Sequence, residues 1–110
     1  MKIIPFNSSL SSRQELSINI SEKVIKLFFC WNIRESAWFV DFRDSDDECK
    51  SVILKEGYNL IPENRLKING NFRVIKLKNT DENEITFENF GKSYFLVYGT
   101  KEEWSDWDGV

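Results

Sequence analysis

Residues 37–43 read Ala-Trp-Phe-Val-Asp-Phe-Arg, so Trp38, Val40 and Phe42 alternate with Phe39, Asp41 and Arg43. A period of two marks a half-buried strand, because successive side chains leave opposite faces of a pleated backbone. The same beat runs through residues 14–20, where Leu16, Ile18 and Ile20 alternate with Glu15, Ser17 and Asn19. It returns in residues 93–99, where Tyr94, Leu96 and Tyr98 oppose Phe95 and Val97. No window repeats apolar residues at the 3.6 period over three turns, so no helix of useful length is expected.

Residues 23–31 form the strongest strand. Ile25, Leu27, Phe29 and Trp31 line one face. Val24, Phe28 and Cys30 make the other nearly as apolar, broken only by Lys26. A strand apolar on both faces belongs in the middle of a sandwich or barrel, or beneath a partner.

Turn signals separate these runs roughly every ten residues. Residues 1–6 suit a short edge segment, because Pro5 cannot donate to a central ladder. Polar residues 7–12 read as a loop, Ser21-Glu22 as a turn, and residues 32–36 as a hairpin reversal. An acidic turn over residues 44–48 precedes a strand over 49–54. Gly57 is expected at positive φ. Residues 62–65 read as a turn, and Asn69-Gly70 as a two-residue reversal between strands at 66–68 and 72–77. Residues 79–84 form another polar turn, and 86–89 a loop or one helical turn. The expectation is an all-β chain: a single small β-sandwich or β-barrel of about seven to eight mostly antiparallel strands. The β domain spans residues 1–100, and residues 101–110 read as an acidic, flexible tail carrying Trp104 and Trp107.

Length fits this reading, since 110 residues build one core with little left for a second. A hydrophobic share of 41% argues against disorder. The net charge of −3 disfavours a general nucleic-acid binder, which needs a basic excess against phosphate. Lys23, Lys26, Lys76 and Lys78 read as solvated strand positions. No stretch approaches the ~20 apolar residues of a membrane span. The apolar run at the start is too short for a signal peptide, so synthesis in the cytoplasm is expected. Cys30 and Cys49 are then expected as free thiols.

The chemistry of the side chains points away from catalysis. Histidine is absent, which removes the commonest general base and metal ligand. Two cysteines without histidine do not make a zinc site. Asp44-Ser45-Asp46-Asp47-Glu48 resembles a calcium loop only in its acidity. Counting from Asp44, Cys49 falls where the central glycine belongs and Lys55 where the closing glutamate belongs. Gly57, Gly70, Gly91, Gly99 and Gly109 are isolated, so no phosphate-cradling loop is present. No catalytic residue, cofactor or metal is expected.

What remains is aromatic surface. Large amphipathic rings concentrate at interfaces. Trp31, Arg34, Trp38, Phe28, Phe39, Trp104 and Trp107 are the interface candidates. Trp31 and Trp38 can equally pair across a hairpin and fix its register. Trp104 and Trp107 read either as a docking tail or with Trp104 folded back on the domain. Asn59 is expected to bond backbone in its own turn, and Tyr94 and Tyr98 to lie in the core or at its rim.

Several of these pieces recur together in a known family. Trp31-Asn32-x-Arg34-x-x-x-Trp38, then Phe39-Val40-Asp41-Phe42 and Asp44, resembles the Trp-hairpin-Trp signature of phage baseplate plug proteins. Gly57-Tyr58-Asn59-Leu60-Ile61 resembles that family's Gly-x-Asn-Leu-Leu element. Gly70-Asn71-Phe72-Arg73-Val74 resembles its Gly-Gly-x-Leu-x-Val strand opening. Phe90-Gly91-x-x-Tyr94-x-Leu96-Val97-Tyr98 resembles its closing strand, and Ile4-Pro5 also fits. The pieces run in order over residues 3–104. Asn71 departs from a common second glycine, Phe90 from leucine, and Asp46-Asp47-Glu48 fills a turn that often contains glycine.

The resemblance implies a structural part at the central hub of a contractile phage tail or tailocin baseplate. Such a protein organises or closes the channel before contraction, and its place is the virion. The implied partners are the hub, the tail tube or tube initiator, the spike and the tape measure, met in a symmetric multi-copy assembly. The alternative from the residues alone is a free-standing β-barrel module binding a peptide, a sugar or single-stranded nucleic acid.

Overall fold

The computed structural model describes residues 1–6, 11–20, 22–62, 65–77, 79 and 81–109. The expected loop residues 7–10, turn residues 21, 63, 64 and 80, and Lys78 lie outside them. Among the described residues seven strands are present: β1 (Lys2–Ile3), β2 (Arg13–Ile20), β3 (Lys23–Asn32), β4 (Ala37–Arg43), β5 (Glu48–Ile53), β6 (Asn71–Lys76) and β7 (Tyr94–Gly99). They form two antiparallel sheets, β2-β3-β4-β5 and β1-β7-β6. The all-β expectation holds in its sandwich form, with no closed barrel among the described residues. Cys30 and Cys49 are free. No described helix is long and apolar enough to cross a membrane.

The alternating residues build the core between the sheets. Ile18, Ile25, Leu27, Phe29, Trp38, Val40 and Phe42 meet Phe72, Val74, Tyr94, Leu96 and Tyr98 in one buried cluster. Phe42 and Phe72 touch across it with ring centroids 4.8 Å apart. β3 occupies an inner position of the larger sheet, as its two apolar faces require. Its second face is only partly covered: Phe28 and Cys30 are half-buried and Val24 is exposed.

Two features differ from the sequence expectation. Residues 66–68 form no strand, so Asn69-Gly70 does not close a two-residue hairpin. Leu66 is buried and Ile68 packs against the core, but no partner strand takes up their backbone. The apolar alternation there reports packing alone. Residues Lys101–Trp107 form a short helix, α1. Thr100 caps it: its hydroxyl accepts from Glu103 N at 3.2 Å, while Glu103 Oε1 accepts from Thr100 N at 3.0 Å. This Thr-x-x-Glu capping box was the legible signal for a helix too short to show periodicity.

Candidate interaction surfaces

β3 and β4 pair in direct register from Lys26↔Arg43 to Asn32↔Ala37, which sets Trp31 opposite Trp38. Their rings meet edge to face at 5.6 Å. Trp38 is fully buried and also stacks on Phe87 at 5.3 Å. Phe6 meets Trp38 at 5.0 Å and Phe29 at 4.7 Å. This aromatic block supports the hairpin tip. There Asn32 Oδ1 accepts from Glu35 N at 3.0 Å, and Ser36 adopts a φ of 49° to close the turn. Ile33 and Arg34 project from it, with Ile33 83% exposed. Periodicity singled out the tryptophans and missed Ile33, because a turn residue belongs to neither face.

The outer face of the four-stranded sheet is the second surface. Phe28, Cys30 and Phe39, all half-buried, sit on it with Arg13, Glu15 and Asp41. They line a shallow groove of about 590 Å³. The Arg43 guanidinium lies over the Phe28 ring at 4.9 Å. The groove ends at an irregularity: the β4–β5 register shifts between Val40 and Phe42, so Lys50 and Ser51 both oppose Asp41. Ser51 takes a φ of 56°, and its N–H donates to Asp41 Oδ1 at 2.7 Å. Asp41 therefore satisfies a donor that the bulge frees from the ladder.

The outer face of the smaller sheet carries the third surface. Trp104 on α1 is buried with Ile75 and Val97, and Phe95 packs against them. Its Nε1 donates to Asn71 O at 2.9 Å. The Arg73 guanidinium lies 4.5 Å from the centre of the indole. Arg73 also donates to Asp108 through both terminal nitrogens, at 2.8 and 3.1 Å, and through Nε to Asn59 Oδ1 at 2.7 Å. Asn59 thus bonds an arginine side chain rather than backbone. Trp107 meets Trp104 edge to face at 6.3 Å and is 55% exposed.

Of the residues singled out in the sequence, Trp31, Phe28 and Phe39 are half-buried, and Arg34 and Trp107 are exposed. Trp38 and Trp104 lie in the interior. The seven residues gather at the hairpin, on the larger sheet's outer face and at α1. Arg73 and Asp108 were not legible as partners, since 35 positions separate them.

Asp44 shapes its own turn. Burial alone would raise the Asp44 carboxyl. The N–H groups of Asp47 and Asp46 and the Lys23 ammonium outweigh it and hold the carboxyl below its usual range. Its Oδ1 accepts from both N–H groups at 2.7 Å, so the acidic run is a self-capped turn. Burial pushes the Cys49 thiol up, Arg65 opposes and Asp41 adds to the rise. No cluster of three metal-ligating side chains occurs among the described residues.

Comparison with known proteins decides what such a module is. The family described as cyanophage baseplate Pam3 plug gp18 matches the chain over residues 1–102. The chain belongs to this baseplate plug family. No curated protein gives a significant match. A baseplate plug is a structural part of the phage virion and works in contact with other tail proteins. The residues that carried the resemblance have physical reasons in this fold. Gly91 has a φ of 92°, and a Cβ there would sit 2.6 Å from Phe6 O. Asn71 uses its side chain as a strand edge. Its Oδ1 accepts from Ile61 N at 2.9 Å and its Nδ2 donates to Ile61 O at 2.7 Å.

Proposed function

We propose that this plug sits at the central hub of a contractile-tail baseplate, near the end of the tail tube, and organises or closes the channel before contraction. The family match across nearly the whole chain carries the reading. Its role is mechanical and non-enzymatic: a rigid sandwich with accessible aromatic side chains on separate faces. Such a module touches several neighbours at once without an active site. Its partners are the hub, the tail tube or its initiator, the spike and the tape measure. Copies repeat by threefold or sixfold symmetry about the tail axis. The chain is made in the host cytoplasm and works in the virion.

Phe28, Phe39, Trp31, Arg34 and Trp107 form the contacts, with Trp38 and Trp104 bracing them from the interior. Aromatic and arginine side chains dominate binding energy where they are pre-positioned. Light scattering of the purified chain, alone and mixed with hub and tube proteins from the same gene cluster, tests this. A ring-sized assembly that needs those partners is expected. A monomer indifferent to all of them contradicts the reading.

A further inference from the structure

Among the described residues the two sheets have four edges, and three of them are closed to a further strand. β5 is broken by the bulge at Ser51, whose N–H is already taken by Asp41. β6 is covered, because Gly57 N donates to Val74 O and Leu60 N to Phe72 O, each at 3.0 Å. β1 is two residues long. The fourth edge is β2, eight residues long, with no bulge and no proline.

The direction of its backbone groups follows from the register. Trp31 N donates to Ser12 O at 2.9 Å, and the two residues are in register with the ladder that pairs Arg13 with Cys30. Antiparallel partners alternate between bonded and non-bonded pairs. Residues 14, 16, 18 and 20 therefore bond to β3, while 13, 15, 17 and 19 turn their N–H and C=O groups outward. Arg13 N is taken by Ser11 Oγ, and Asn19 O receives Lys2 Nζ. Among the described residues, the N–H and C=O of both Glu15 and Ser17 have no partner at the edge.

We infer that β2 receives an extended segment of another baseplate protein as a fifth strand. This rests on the baseplate reading above. Natural proteins blunt long regular edges unless they use them, and strand addition is an established mode of peptide capture. The side chains define the occupant. Arg13 and Glu15 stand next to each other on the outward row, so it carries an acid opposite Arg13 and a base opposite Glu15. On the inner side Leu16 is only half-buried beside the core, so the occupant is apolar there. A second copy of this chain fits worse: β2 pairing with itself makes a closed twofold contact, which a ring about a tail axis does not contain.

The test is amide hydrogen exchange on the full chain, free and mixed with hub and tube proteins. A synthetic extended peptide alternating Val with Lys and Glu serves as an independent probe. Expected is new protection at Glu15, Ser17 and Asn19. Ser17→Pro removes one outward donor, a change edge strands tolerate. It should keep the fold and weaken binding roughly tenfold, while Ser17→Ala binds like the parent. If Ser17→Pro fails to fold, exchange on the parent chain decides. Three results overturn the inference: a tail complex whose β2 amides exchange as in the free chain, protection of β2 by self-association alone, or no protection with any probe. The first leaves the baseplate reading standing. Peptide capture by a chain that joins no tail protein overturns that reading instead.

Discussion

Trp31 and Trp38 stand directly opposite each other on β3 and β4 and touch edge to face at 5.6 Å, one half-buried and the other fully enclosed. The hairpin tip that bears Ile33 and Arg34 is therefore supported by the same rings that fill one end of the core. Removing the inner ring should cost more than removing the outer one. Trp38→Ala is expected to destabilise by about 3–5 kcal/mol, as large aromatic truncations in cores do. Trp31→Ala should cost roughly 1–2 kcal/mol, from its partial burial and the lost ring pair. Urea unfolding of the two variants checks the order. Equal losses would show that the pair does not divide in this way.

A side chain at residue 99 cannot coexist with the docked helix. A Cβ on Gly99 would lie 2.8 Å from Trp104 Cε2, so Gly99→Ala must displace the indole from Asn71 and Arg73. A loss of about 1–3 kcal/mol is expected. The double variant Gly99→Ala/Trp104→Ala should lose less than the sum of the single losses, because both changes act on one contact. Additive losses in a thermal melt would show that the two positions are independent.

The Arg73–Asp108 contact beside α1 should fail in acid. Hydrogen bonds from Arg73 hold the Asp108 carboxyl below its usual value of 3.8, against an opposing effect of burial. A carboxyl depressed in the folded state stabilises fully above its unfolded pKa and loses that contribution as pH falls through the folded value. The Trp104 indole N–H resonance should therefore stay constant from neutrality to about pH 5 and shift below about pH 4. Asp108→Asn should remove that acid step. A resonance that moves near neutral pH would contradict the assignment.

The bulge depends on one carboxylate. Asp41→Ala leaves the Ser51 N–H without its acceptor and should cost about 1–2 kcal/mol. Asp41→Asn keeps an acceptor oxygen and should cost less. Faster amide exchange at Ser51 in the alanine variant alone is the direct readout. Equal exchange in both would show that the charge, not the acceptor, is needed.

Much of this was legible because β2, β3 and β4 each bury one face more than the other, and burial imposes a period of two. The alternation at Trp38, Val40 and Phe42 marks their burial one by one. Residues 66–68 misled because burial of Leu66 gives the same signal with or without a ladder. Helix α1 escaped because seven residues cannot show a 3.6 period, although Thr100 and Glu103 carried its cap. Asn89 escaped too. Its Oδ1 accepts from Thr86 N at 2.7 Å, and its Nδ2 donates to Glu84 O at 2.9 Å. One polar side chain standing in for backbone leaves no periodic trace. The interface candidates were legible as rings, but which of them face solvent depends on long-range packing, as the contrast between Trp104 and Trp107 shows.

The proposed role depends on where the chain sits, so a cryo-EM reconstruction of purified tails before and after contraction tests it. Seven-stranded sandwich density of this chain is expected at the centre of the baseplate, beside the hub and tube end, in copies related by rotation about the tail axis. Its place or contacts should change on contraction. Particles whose baseplate centre holds no such density, while the chain is found elsewhere or not at all, would contradict it.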